Sequence, residues 1–113
     1  IIRDFLNINC LLKNAKNELK KFEIKNKVNL KLDQFDVFDL SLKNNDAMFS
    51  ANIGRSAEYY TGLVFEIYKK SKSLNLASGG RYDNLMQILG AKTKVAAIGG
   101  AINYDNILKL WVN

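Results

Sequence analysis

The sequence has 113 residues, 48% of them hydrophobic and 25% charged, which is the size and composition of one globular domain or of part of one. No apolar stretch reaches the roughly 18 to 20 residues of a membrane-spanning helix, and no signal peptide is recognisable. The first residue is Ile1 rather than Met. We therefore expect residues 1–113 to be a single, truncated domain from a longer protein that does not associate with a membrane.

The charged residues and the one cysteine restrict the classes of function. The net charge is +6, and 14 of the 17 basic residues are Lys. These Lys residues are spread along apparent solvent faces rather than among aromatic residues, so we do not expect a nucleic-acid interface. The chain contains no His, which excludes a Cys–His catalytic pair around Cys10. We expect Cys10 to be a buried structural thiol in a cytoplasmic protein.

The first 46 residues predict one helix followed by extended chain. Apolar residues recur with a period close to 3.6 over residues 5–25, which predicts an amphipathic helix. A β-like alternation begins at Val28, and a mixed stretch continues to Leu40. The cluster at residues 44–46 predicts a turn.

The remaining residues predict strands joined by short links, then helices. We predict strands at 47–53, 59–69, 74–77 and 95–102, with Gly79 and Gly80 breaking the third. The predicted helices are 82–89, which Gly90 would end as a C-cap, and 104–112. Consecutive strands with short links predict an α+β fold, in which an antiparallel sheet is flanked by helices.

Three segments could carry a binding site: residues 54–66, 77–85 and 95–102. The guanidinium of Arg55 could bind a carboxylate or phosphate, and paired glycines let a ligand approach the backbone closely. Adjacent strand residues point to opposite faces, so only one of Tyr59 and Tyr60 should line a pocket. The same residues also fit a sheet core with a surface Arg and a strand-to-helix turn without a ligand, and the residues alone leave both interpretations open.

Taken together, the three segments resemble the histidyl-tRNA synthetase family. Arg55-x-x-Glu58-Tyr59-Tyr60-Thr61-Gly62-x-Val64-Phe65-Glu66 is similar to the first histidine-specific motif, and Gly79-Gly80-Arg81-Tyr82-Asp83-Asn84-Leu85 is similar to the second. Ile98-Gly99-Gly100-Ala101-Ile102 resembles the strand of class II motif 3, and the order and spacing also match.

This resemblance implies the C-terminal part of a class II aminoacyl-tRNA synthetase catalytic core with a histidine site. The residues that match the family's binding positions are Arg55, Glu58, Tyr59, Tyr60, Gly79, Gly80, Tyr82 and Gly99. By resemblance, Arg55 would contact the substrate carboxylate, and Tyr60 and Tyr82 would line the pocket for the imidazole. Tyr59 could equally be structural, and the glycines would shape the floor.

One departure from the motifs decides which branch of the family we expect. Asn106 stands where a synthetase has the motif 3 arginine that grips the γ-phosphate of ATP, and a neutral amide cannot make that charge-assisted contact. The resemblance is therefore closest to the non-catalytic branch, the regulatory subunits of ATP phosphoribosyltransferase. That branch implies histidine as a ligand, with no catalytic residue, metal or cofactor.

The same branch implies two kinds of partner. One is the short-form catalytic subunit, in a hetero-octameric complex, and the other is a second copy of the chain, in a homodimer formed through the N-terminal half that would precede Ile1. Two alternatives stay open: a divergent histidine–tRNA ligase, and an unrelated α+β binding domain with chance motif matches.

Overall fold

The structure is a computed structural model that describes residues 1–37, 47–53, 58–71 and 73–112. It has two compact units, Ile1–Asn52 and Ile53–Asn113. Helices and antiparallel strands occur in both units, which confirms the predicted α+β class. No helix among the described residues combines the length and the apolar character needed to cross a membrane.

The first unit is a short two-stranded sheet beside one long helix. Its elements are α1 (Ile2–Leu6), β1 (Asn9–Leu11), α2 (Leu12–Asn26), a 3₁₀ helix (Leu32–Val37) and β2 (Met48–Ser50). β1 and β2 are antiparallel, with Cys10 opposite Phe49. The apolar face of α2 provides the core of this unit, because Ala15 and Leu19 are almost completely buried.

The single helix predicted over residues 5–25 was wrong in its first part. Residues 9–11 form β1 instead, because their backbone groups pair with β2, a segment far away in the sequence. A local apolar period cannot report such a partner, and tertiary pairing overrides helix propensity. Cys10 is consequently a half-buried strand residue rather than a buried helical one.

The strand predicted from Val28 onward was also wrong. Lys27 and Lys31 both adopt φ of 53°, a left-handed conformation that no strand tolerates, and a 3₁₀ helix begins at Leu32. Glu23 stabilises this bend, since its side chain accepts a 2.6 Å hydrogen bond from the Leu30 N–H. The rest of that prediction, residues 38–40, and the turn at 44–46 lie outside the described residues.

The second unit is a three-stranded antiparallel sheet with two helices. Its elements are β3 (Val64–Lys69), β4 (Leu74–Arg81), α3 (Leu85–Ile88), β5 (Ile98–Ile102) and α4 (Tyr104–Trp111), and β4 is the central strand of the sheet. The predicted strands and helices of this half are confirmed in kind, although most of them are shorter. The strand break predicted at Gly79 and Gly80 was wrong, because β4 continues through both.

The two glycines stay in the strand because they meet glycines on the neighbouring strand. Gly79 is opposite Gly100, and Gly80 is opposite Gly99. A Cβ on Gly79 would lie only 2.7 Å from the Cα of Gly100. Glycine therefore permits close packing here and does not end the strand.

Gly90 ends α3 as predicted. Its φ is +106°, its N–H donates to the Gln87 carbonyl, and the Ala91 N–H donates to the Met86 carbonyl at 2.9 Å. These two hydrogen bonds define a Schellman motif, in which the residue after the helix adopts positive φ.

Candidate functional site

The β3–β4–β5 sheet has two chemically different faces. Residues opposite each other in an antiparallel pair share a face, so the register assigns the side chains. We call one side the tyrosine face: it bears Val64, Glu66, Ser78, Gly80, Gly99 and Ala101. The opposite side is apolar and exposed, with Phe65, Ile67, Ile98 and Ile102 all at least 39% accessible.

Tyr60 covers Gly80 on the tyrosine face. A Cβ at Gly80 would lie 2.8 Å from two ring carbons of Tyr60 and 2.5 Å from the carbonyl oxygen of Leu63. A real side chain cannot occupy that space. The glycine is therefore the reason why the Tyr60 ring can lie flat against the sheet.

Tyr82 covers Gly99 in the same way. A Cβ at Gly99 would overlap the Tyr82 hydroxyl and lie 3.2 Å from the ring carbon that carries it. The backbone N–H of Tyr82 donates to the Ala97 carbonyl at 2.8 Å, which fixes the tyrosine just beyond the end of β4. Two tyrosine–glycine pairs therefore stand side by side on neighbouring strands.

Tyr59 completes the aromatic cluster. Its ring centroid lies 4.7 Å from that of Tyr60 and 5.8 Å from that of Tyr82, the second contact being edge-to-face. β3 begins only at Val64, so the predicted strand start at residue 59 was wrong. Because Tyr59 and Tyr60 lie in a turn, the strand alternation that would separate their rings does not apply.

The environment keeps the Tyr60 hydroxyl protonated. A hydrogen bond with Tyr59 raises the pKa of Tyr60, and burial together with the nearby Tyr59, Tyr82 and Glu66 raises it further. A neutral phenol offers one donor and one acceptor. The hydroxyl can therefore donate a hydrogen bond to a ligand nitrogen with a lone pair, or accept one from a ligand N–H.

The turn that carries Tyr59 and Tyr60 is fastened to the end of β4. The Thr61 N–H donates to the Arg81 carbonyl at 3.0 Å, and the Thr61 hydroxyl accepts a 2.9 Å hydrogen bond from the Asp83 N–H. The Arg81 guanidinium pairs with the Asp83 carboxylate at 3.0 Å. These contacts connect the two motif segments of the sequence.

The structure brings together five of the eight predicted site residues: Tyr59, Tyr60, Gly80, Tyr82 and Gly99. Gly79 lies on the opposite face, where its missing Cβ makes room for the Phe65 ring. Glu58 is exposed in the turn, and Arg55 lies outside the described residues. Glu66 and Ser78 share the tyrosine face but were not predicted as site residues; the alternation from Val64 and Gly80 would have indicated them.

A cavity of about 390 Å³ lies where β4, β5 and the start of α4 meet, and it reaches the tyrosine face at Ser78 and Ala101. Its lining residues are Asn75, Ser78, Ala101, Ile102, Asn103, Tyr104 and Asp105. Asn106 stands beside it with its side-chain amide donating to the Asn75 carbonyl at 2.7 Å. Asp105 is the one charged residue of this lining.

Comparison with known proteins places this chain in a family. The family model described as histidyl-tRNA synthetase matches residues 7–107. The chain therefore belongs to the histidyl-tRNA synthetase family, and its α+β core is of the class II synthetase type.

Individual relatives carry a more specific name. The chain is 35% identical over 114 residues to the ATP phosphoribosyltransferase regulatory subunit of Agrobacterium fabrum. It is 35% identical over 115 residues to that of Sinorhizobium medicae, and 34% identical over 119 residues to that of Brucella suis. These alignments cover 95 to 97% of this chain but only 30 to 32% of each relative.

Proposed function

We propose that this chain is part of a non-catalytic regulatory subunit of ATP phosphoribosyltransferase, which binds histidine for feedback control of histidine biosynthesis. The names of its relatives support the regulatory role. The histidine site is proposed from the tyrosine face and from the family resemblance of its residues.

The tyrosine face suits a flat, polar ring. Tyr60 and Tyr82 stand over glycines, so both side chains lie close to the backbone of the strands beneath them. A hydroxyl at either position can hydrogen-bond one imidazole nitrogen of histidine, and the neutral ring carries one donor nitrogen and one acceptor nitrogen. In this proposal Arg55 binds the histidine carboxylate in a bidentate manner.

The observation that carries the non-catalytic assignment is the hydrogen bond from Asn106 to Asn75. The Asn106 amide is neutral, and one of its two N–H donors is used by the protein itself. The neighbouring cavity contributes a carboxylate, Asp105, which would repel a polyphosphate. Adenylate formation needs cationic stabilisation of the triphosphate, and these residues offer none.

Regulation in this proposal is allosteric. Histidine favours one arrangement of a hetero-oligomer with the short-form catalytic subunit in the cytoplasm, and that arrangement changes the partner's activity. By linkage, the factor by which histidine changes the affinity between the two subunits equals the factor by which the catalytic subunit changes the affinity for histidine.

Calorimetric titration of the full-length protein with histidine, with and without the catalytic subunit, tests the proposal. We expect saturable binding and a histidine-dependent fall in the activity of the complex. Tyr60→Phe should weaken binding about fivefold to tenfold, because it removes one hydrogen bond from the site. Tyr104→Phe is the matched control, since Tyr104 is 68% exposed on α4 and its ring is not part of the cluster.

An absence of histidine binding in the presence of the catalytic subunit would contradict the proposed sensing role. Histidine-dependent exchange between ATP and pyrophosphate distinguishes the alternative, a divergent histidine–tRNA ligase. We expect no exchange above background, and measurable exchange would overturn the non-catalytic assignment.

A further inference from the structure

Glu66 projects from the same face as the tyrosine cluster. It lies opposite Ser78, as Val64 lies opposite Gly80, and all four therefore share the tyrosine face. Residues two apart on a strand are separated by about 7 Å, roughly the span of an imidazole ring with its hydrogen bonds. The carboxylate therefore stands one ligand width along the strand from the position that Tyr60 covers.

The Glu66 carboxylate has one oxygen in use and one available. The Tyr68 hydroxyl donates a 2.5 Å hydrogen bond to Oε2. Within the part of the chain that the structure describes, Oε1 accepts no hydrogen bond and no cation pairs with the carboxylate. The nearest candidate in the motif, Arg81, lies on the opposite face of β4 and is bonded to Asp83.

A half-buried carboxylate with an unused oxygen is a strong hydrogen-bond acceptor. The Glu66 carboxylate acts electrostatically on the tyrosine cluster, because it contributes to the raised pKa of Tyr60. Among the described residues that project from the tyrosine face or cover it, Glu66 is the one with a carboxylate side chain.

We propose that Glu66 is a specificity-determining residue of this pocket, whose free oxygen accepts a hydrogen bond from a ring N–H of the ligand. The inference rests on the proposed function, because it assumes that the tyrosine face is the binding site. Glu66 then selects nitrogen-bearing rings over flat rings of the same shape that lack an N–H donor.

The experiment measures ligand preference by calorimetry on the full-length protein with its catalytic subunit. The two ligands are histidine and β-(2-thienyl)alanine, which has a ring of similar size without an N–H. The variants are Glu66→Gln, which keeps the shape and removes the charge, and Tyr68→Phe, which removes the neighbour that holds Oε2.

We expect the unmodified protein to prefer histidine. Glu66→Gln should lower histidine affinity about tenfold or more, since it replaces a charge-assisted hydrogen bond with a neutral one, and should leave thienylalanine affinity within about twofold. Tyr68→Phe should keep the preference for histidine. Retained thienylalanine binding also demonstrates that the Gln variant is folded.

Three results would overturn the inference. If Glu66→Gln binds histidine as tightly as the unmodified protein, the carboxylate does not contact the ligand. If the variant loses both ligands equally, Glu66 supports the fold rather than specificity. Either result leaves histidine binding by the unmodified protein intact, whereas failure of that protein to bind histidine overturns the proposed function and this inference together.

Discussion

The side-chain amide of Asn106 donates a 2.7 Å hydrogen bond to the main-chain carbonyl of Asn75, which joins the first turn of α4 to the start of β4. The Asn106 backbone N–H is in turn capped by the Asn103 side chain at 3.1 Å, and its side-chain oxygen lies 3.3 Å from the Lys109 ammonium. One residue therefore connects the helix end, the strand and the next helical turn. Asn106, which by resemblance stands at the motif 3 arginine of synthetases, thus holds the start of α4 against β4.

Replacing Asn106 tests this docking role. Asn106→Ala should destabilise α4 by about 1 kcal/mol, because the half-buried Asn75 carbonyl loses its partner. Asn106→Asp should cost more, since a carboxylate oxygen would then face the carbonyl oxygen. Amide hydrogen exchange across residues 104–111 in the full-length protein measures the local opening free energy.

The order of the two variants is the decisive part of that measurement. If the amides of α4 were protected from exchange equally well in Asn106→Asp and in the unmodified protein, the assigned hydrogen bond would be contradicted. Asp105→Asn is a suitable control, because Asp105 precedes the docking residue and lines the cavity without making that bond. It should change exchange in α4 less than Asn106→Asp does, because it removes only the interaction of a first-turn carboxylate with the helix N-terminus.

The neighbouring glycines Gly99 and Gly100 provide a matched pair on opposite faces of β5. Gly99→Ala should displace the Tyr82 ring, because the new Cβ would overlap its hydroxyl, and we expect histidine affinity to fall about tenfold or more. At Gly100 the nearest atoms, in the Phe65 ring and the Ser78 carbonyl, are both 3.3 Å away, so Gly100→Ala needs only a small movement of both. Binding titrations should show a clear difference in histidine affinity between the two variants. Equal losses of affinity would argue against a ligand on the tyrosine face.

Local sequence signals predicted the second unit better than the first. The C-cap at Gly90 was predicted correctly, because a Schellman motif depends on residues that are adjacent in the sequence. β1 was missed because Asn9–Leu11 forms a strand only through Met48–Ser50, and no local pattern reports a distant partner. The bend at Lys27 and Lys31 was missed for a related reason, since non-glycine residues rarely adopt positive φ.

The site was predictable in its residue types but not in its geometry. The motif resemblance selected Tyr60, Tyr82, Gly80 and Gly99, yet spacing alone could not tell that each tyrosine covers one glycine. That arrangement depends on the pairing of β4 with β5, which places Gly80 opposite Gly99. The role of Asn106 was likewise invisible, because its partner Asn75 is 31 residues away.

Gly90 provides a stability prediction that does not involve the site. Its φ of +106° is strained for any residue with a Cβ, although no atom of the described residues other than Gly90 and its chain neighbours lies within 4 Å of the position that a Cβ would occupy. Gly90→Ala should therefore destabilise the end of α3 by about 1 kcal/mol through backbone strain alone. Gly90→Asn should cost less, since Asn tolerates positive φ better, and thermal unfolding of both variants checks the order. An Ala variant as stable as the Asn variant would contradict the backbone-strain account.

The Tyr59–Tyr60 pair makes a prediction about pH. The hydrogen bond with Tyr59 is the largest cause of the raised pKa of Tyr60, whose ordinary value is 10.0, so Tyr59→Phe should lower that pKa toward the ordinary value. In the unmodified protein the folded state holds the Tyr60 proton at a pH where the unfolded chain has released it. The free energy of unfolding should then decrease as the pH rises from about 10 through the raised pKa, and this group should cause no pH dependence of that free energy near neutral pH. Ultraviolet titration of tyrosinate, with Tyr60→Phe to assign the signal, measures the shift, and an unchanged Tyr60 titration in the Tyr59→Phe variant would show that the two hydroxyls are not coupled.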